Sequence, residues 1–240
     1  SRPHVSSSGA ASYAAQYDSN GWTGVITASQ ITFAANGTPT ATAMWSTNTT
    51  LQTQLAGTGW DTGRNVATWS GTAGIAFRTT TGNLTDAQKT ALTPSYATSI
   101  SAAEYVNYLR GDTSNEVGST VSGSKKALRS RKLLLGDIVN AKLTPVGPPA
   151  QSYGESTNPG YTAFKTKWTT TTPRPTMVYA GANDGMLHGF NGALTGTGAG
   201  VEKFAYVPSA LYQGPSGTPQ IDGLAQLGNP NYVHHFYVDA

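Results

Sequence analysis

The chain has 240 residues, carries no cysteine, and has a net charge of +3 with only 11% of its residues charged. Typical soluble domains carry about 25% charged residues, so hydroxyls and amides must cover this surface, and electrostatics alone would make a poor nucleic-acid binder. Thiol catalysis, Cys-ligated metals and a disulfide framework are excluded, and no run of about 18 apolar residues is present to span a membrane.

An aromatic content of 10%, with 5 Trp and 12 Tyr, is too high for a disordered low-complexity chain. Thr, Tyr and Trp fit pleated strands, and Gly, Asn and Pro make turns, so the expectation is a β-rich protein. The start Ser1-Arg2-Pro3 has neither Met nor an apolar leader and reads as a processed or excised piece of something longer. Residues 1–20, small and polar, read as a flexible arm that contains His4. Gly21 to Phe33 reads as two short strands around a polar turn, and in the next segment Trp45, Leu51 and Leu55 are the expected core anchors. NVATW (65–69) and GIAFR (74–78) read as a further pair of short strands.

Two short helices interrupt this pattern. Thr85 and Gln88 have capping-box spacing at the start of the first, and Ser101 and Glu104 repeat it at the second, which Gly111 ends. The loop Asp112–Ser124 leads to KKALRSRK (125–132), read as a solvated approach to the next strand, with an acidic partner or lipid headgroups as the other reading. LLLGDIVNA (133–141) reads as a hydrophobic strand, and Tyr161–Trp168 as a short amphipathic piece. Met177–Phe190 reads strand, turn, strand, with Asn183, Asp184 and Gly185 forming the structural hairpin turn. A third strand, KFAYV (203–207), makes a meander, the unit of a propeller blade. Tyr232–Ala240 reads as a strand cut off without its partners.

Catalysis needs convergent groups, and few are available. His188 in the hairpin reads as structural. His234 and His235 alternate faces on a strand and so would not both point at one metal in simple β geometry. Together with Asp239 they could form a site, although metal sites need three or four converging ligands. Gly196–Gly200 resembles a phosphate loop but lacks the Lys and the following helix. Arg110-Gly111-Asp112 spells a tripeptide known from integrin ligands and is the candidate binding motif, although helix-end chemistry also explains all three residues.

GDIVNAKLTPVGPP (136–149), MVYAGANDGMLHGFNG (177–192), EKFAYVPSALY (202–212) and NPNYVHHFYVDA (229–240) occur in an order and spacing that resembles the carboxy-terminal domain of PilC/PilY-type type IV pilus tip adhesins. Upstream, GIAFR, LTDAQKTAL and YVNYLRGDTSNE resemble the segment preceding the propeller in that family. The resemblance implies a mainly β fold with a few short helices, a partial modified β-propeller of antiparallel meander blades. Residues 1–20 would then be the arm and 21–131 a pre-propeller β segment with two short helices. Residues 132–240 would be the opening blades, incomplete at the C-terminus. It also implies a non-enzymatic role in pilus assembly and surface attachment at the cell exterior, at the pilus tip and the outer membrane. The implied partners are pilin or minor pilin subunits and host or abiotic surfaces. Family members carry a calcium loop of alternating acidic residues, and no Asp-x-Asp-x-Asp-Gly run is found here. Asp184 and Asp222 each stand alone, so no cofactor is expected within this chain: either a calcium loop lies beyond Ala240 in a full-length protein or this homologue lacks it. Two other readings remain open. One is an extracellular structural protein that forms homo-oligomers or filaments by strand exchange at open sheet edges. The other is a piece of a quinoprotein-like propeller dehydrogenase, suggested by Asp184–Asn191.

Overall fold

The computed structural model describes residues 4–6 and 9–239. Two sheets frame it. The first has four antiparallel strands in sequence order, β1 (His4–Ser6), β2 (Gly9–Asp18), β3 (Thr23–Phe33) and β4 (Pro39–Ser46). β2 and β3 pair continuously from Ala10↔Ile31 to Asp18↔Thr23. The stretch expected to be an arm therefore contributes a ten-residue strand, and the two strands expected between Gly21 and Phe33 are one. No Gly or Pro interrupts Val25–Phe33, and period-two alternation buries Ile26 and Ala28 while Val25 and Thr27 stay half-buried.

β4 runs directly into α1 (Thr47–Leu55). Trp45, Leu51 and Leu55 are buried, as expected. The helix itself is not announced by TNTTLQTQL, whose many Thr residues have poor helix propensity. It forms because the i, i+4 pair Leu51 and Leu55 has a core to enter. The short α2 (Gly59–Thr62) follows.

The second sheet has six strands: β5 (Val66–Trp69), β6 (Gly74–Ala76), β7 (Thr144–Val146), β8 (Met177–Ala182), β9 (Met186–Asn191) and β10 (Glu202–Val207). Their order is β6-β5-β10-β9-β8-β7. The expected β5–β6 pair and the β8–β9–β10 meander are both present and antiparallel. β5, however, lies parallel to β10, so the boundary expected near residue 131 falls inside one hydrogen-bonded sheet. Among the described residues neither sheet closes on itself.

α3 (Asp86–Leu92) and α4 (Ala102–Arg110) cover one face of this sheet. Both begin with the capping boxes read from the sequence, Thr85 with Gln88 and Ser101 with Glu104. Leu92, Tyr105, Val106 and Leu109 pack there against Ala205, Val207 and Tyr212. The other core lies between the sheets, where Ile26, Trp45 and Leu55 meet Val178, Ala180 and Phe190. Two long-range hydrogen bonds pin the sheets together: Tyr13 Oη donates to the Gly192 carbonyl (2.6 Å) and Trp45 Nε1 to that of Ala193 (2.8 Å).

Three further expectations are corrected. LLLGDIVNA is not a strand but an irregular wedge, with a single bridge between Thr23 and Gly136. Its backbone is squeezed between β3 and the β8–β9 turn: a Cβ on Gly24 would strike the Gly136 carbonyl, and one on Gly136 would strike the Asp184 backbone. Residues 232–239 form no strand; the Tyr237 amide donates to Asn183 Oδ1 (2.9 Å) and the Asp239 side chain caps the wedge. The basic run is only partly solvated. Arg131 is nearly buried against Glu116 (2.7 Å) and lies 3.7 Å over the Tyr108 ring, while Arg129 lies over Tyr232.

Candidate functional site

The turn Asn183-Asp184-Gly185 joins β8 to β9 as expected, with Gly185 at φ +89° where a left-handed residue is required. Asp184 does more than turn the chain. Its carboxylate accepts from the Gly136 amide (2.9 Å) and the Met186 amide (3.1 Å), and faces His188 Nε2 at 3.0 Å. The other ring nitrogen, Nδ1, lies 2.6 Å from Glu202 Oε1. Glu202 in turn receives both Nε (2.6 Å) and Nη2 (2.9 Å) of Arg64, a bidentate pair. Four charged groups thus alternate in sign through the interior: Asp184, His188, Glu202, Arg64.

Burial opposes charge on every member, and the neighbours reverse that. Burial lowers the His188 pKa, but the Asp184 carboxylate and then Glu202 outweigh it and hold the imidazole at about 9. Burial raises Glu202, but Arg64 and His188 bring it down to about 2. Asp184 is likewise depressed, burial being outweighed by His188, the Gly136 amide and Arg64. His188 and Glu202 have no side-chain exposure. With both ring nitrogens engaged, the histidine reaches no solvent and acts as a structural strut.

Arg110, the first residue of the candidate tripeptide, is also inside. It is 1% exposed, and its guanidinium donates to the carbonyls of Trp60, Asp61 and Arg64 (3.2 Å each), while its own carbonyl accepts from Arg64 Nη1 (2.7 Å). Burial, with Arg78 and Arg64 nearby, lowers its pKa to about 10. Gly111 ends α4 at φ +121°, and Asp112 follows half-buried with Oδ1 accepting from the Ser114 amide (2.9 Å). The tripeptide is a helix end with a buried arginine and not an extended loop.

A second polar cluster ties the chain's last residues to the wedge. Asn183 Nδ2 donates to Asp137 (2.8 Å), which also meets His234 Nε2 (2.8 Å), and Trp22 stacks on the His234 ring at 3.8 Å. Asp239 accepts from the amides of Val139, Asn140 and Ala141. His234 and Asp239 therefore serve different partners, and no hydrogen bond from the His235 ring is found among the described residues. These carboxylates accept from backbone and side-chain amide donors and from imidazole. No group of three or more His, Asp or Glu among the described residues is arranged to hold a metal. Asp222 accepts from the Ser216 amide and hydroxyl. The Arg64–Glu202 pair, 138 residues apart, and the Asp137–His234 pair are invisible to a sequence reading, because nothing local links their members.

The open sheet, the meander and the tight β8–β9 turn define a β-propeller segment. Residues 135–240 match the family model described as the PilY1 beta-propeller domain. A type IV pilus biogenesis factor PilY1 homolog of Xylella fastidiosa is 37% identical over 139 residues, covering 58% of this chain and 10% of that protein. Type IV pilus biogenesis factor PilY1 of Pseudomonas aeruginosa strain UCBPP-PA14 is 34% identical over 143 residues, again 58% and 10%. Its counterpart in strain PAK is 36% identical over 140 residues, 56% and 10%. The chain thus spans about a tenth of the length of these relatives. No solved structure matches it significantly.

Proposed function

We propose that this chain acts in type IV pilus biogenesis and surface attachment, as a non-enzymatic, extracellular segment of a pilus-associated protein. The observation that carries this is the coincidence of the β7–β10 sheet with the part of the chain matched by the PilY1 propeller family. The chemistry agrees: the perturbed acid–base pair of the interior, His188 and Glu202, is sealed inside as a strut. The surface is instead rich in hydroxyls and exposed aromatics, among them Phe33, Trp69, Tyr153 and Phe236, which supply large rigid contact area at low entropic cost. Pilin or minor pilin subunits are the expected partners, and host or abiotic surfaces the attachment targets. No helix among the described residues is long and apolar enough to cross a membrane. The test is co-purification of minor pilins with the tagged chain, together with deletion of its coding segment in the source bacterium. Capture of minor pilins and loss of surface pili are expected; normal piliation with no pilin captured would reject the reading.

One observation favours a second role, self-association. β4 is an edge strand, exposed from Pro39 to Ala43, and no charged residue occurs between Asp18 and Asp61. Natural edges are usually blunted by charge. Here only Pro39 and the irregularity between Ala28 and Ser29 in the β3–β4 pairing limit pairing. Light scattering of the purified chain at rising concentration should show dimers that Thr42→Lys abolishes; a wild-type monomer throughout would exclude this role.

A further inference from the structure

Beside the end of α4 lies an open groove of about 230 Å³. Leu55, Trp60 and Leu134 line it together with the polar Gln52, Asp112 and Arg131. Gly111 keeps it open: a Cβ there would come within 3.2 Å of Leu55 and 3.3 Å of the Trp60 Cβ, and φ +121° excludes ordinary side chains anyway. The buried Arg110 fixes this geometry by holding the Trp60 and Asp61 carbonyls. The integrin-like tripeptide thus builds a groove, with its arginine as scaffold, its glycine as opening and its aspartate as lining.

The lining selects the ligand by its polar groups. Asp112 Oδ1 is used by the Ser114 amide, and among the described residues no donor meets the other oxygen. Arg131 has five N–H donors. They serve Glu116, the Tyr108 carbonyl and the Asp112 carbonyl, one bond each, so further donors remain. Gln52 makes only long bonds, 3.3 and 3.5 Å, to the Leu134 amide and the Lys132 carbonyl. The lining is mixed in charge, with Asp112 beside an Arg131 already paired to Glu116, so it offers both acceptor and donor groups. A neutral polyhydroxylated ring suits both, since each hydroxyl both donates and accepts. Its C–H face also matches the negative face of an indole. The volume lies below the roughly 300–1,000 Å³ of pockets for drug-sized ligands, which limits the occupant to about one ring.

We propose that this groove binds a single hexose unit of a surface glycan, with Trp60 as the platform and Asp112 as the hydroxyl acceptor; this deepens, and rests on, the surface-attachment reading above. Saturation-transfer NMR on the 240-residue chain with methyl glucoside, galactoside and mannoside, each at about 10 mM, tests it. Saturation of one ring face is expected for at least one epimer. Trp60→Ala and Asp112→Asn should each weaken binding by about tenfold or more. Asp112→Asn retains an oxygen for the Ser114 amide, so it reports on binding even if Trp60→Ala fails to fold. No transfer to the folded wild-type chain, or unchanged binding by a folded Asp112→Asn, would overturn the site. Minor-pilin capture measured on the same variants separates the two readings: capture without glycoside binding leaves pilus biogenesis standing and removes the sugar site.

Discussion

His188 sits between two carboxylates with no exposure, and its charge state couples the fold to pH. Its folded pKa of about 9 exceeds the ordinary 6.5, so its stabilisation is complete below 6.5 and is lost as pH rises through 9. Glu202 has the opposite sign: depressed from 4.5 to about 2, it contributes fully above 4.5 and loses that contribution as pH falls through 2. Thermal melts across the pH range should therefore show a stability plateau between these limits, with a decline on each side. His188→Ala leaves Asp184 and Glu202 buried without their shared cation and should cost roughly 3–5 kcal/mol. The same variant should flatten the decline above pH 6.5. A variant that keeps the alkaline decline would show that another group sets it.

Among elements, the wedge at 133–141 shows how close backbone approach replaces regular pairing. The Gly136 amide reaches the Asp184 carboxylate only because nothing stands on its Cα. Gly136→Ala should destabilise by about 2 kcal/mol or more, since overpacking forces the backbone to shift. Urea titrations would reveal this as a lower midpoint at unchanged slope. The helix caps predict smaller effects. Thr85→Ala and Ser101→Ala each leave an end amide unpaired at an exposed site and should cost about 1 kcal/mol. Equal stability of Ser101→Ala and wild type would mean that α4 is held by its buried face alone.

For the molecule as a whole, the decisive feature is that the two sheets are not separate bodies in contact. Tyr13 and Trp45 donate across the gap to the chain just after β9, and Thr23 bridges to Gly136. Unfolding followed by near-ultraviolet circular dichroism and by hydrogen exchange should give one coincident transition. Two resolved transitions, one confined to residues 9–46, would show the first sheet to be an independent unit. Trp45→Phe removes one inter-sheet hydrogen bond and should cost about 1 kcal/mol.

The residue sequence by itself determined whatever depends on neighbours in the chain. The capping boxes at Thr85 and Ser101, the stop at Gly111, the β5–β6 pair and the hairpin at 183–185 all follow from contacts a few residues apart, where composition and spacing are sufficient. So did the family resemblance, which the match over residues 135–240 supports. Tertiary structure decided the rest. LLLGDIVNA and residues 232–239 have strand-like patterns but find no strand partner along their length, because the space beside β8 and β9 admits only an irregular wedge and a polar cap. The arm became a strand because β3 offered it a full-length edge, and α1 formed because Leu51 and Leu55 had a core to fill. Alternating charges from residues 64, 184, 188 and 202 meet only after the sheet has formed, since long-range contact, not local propensity, brings them within hydrogen-bonding distance.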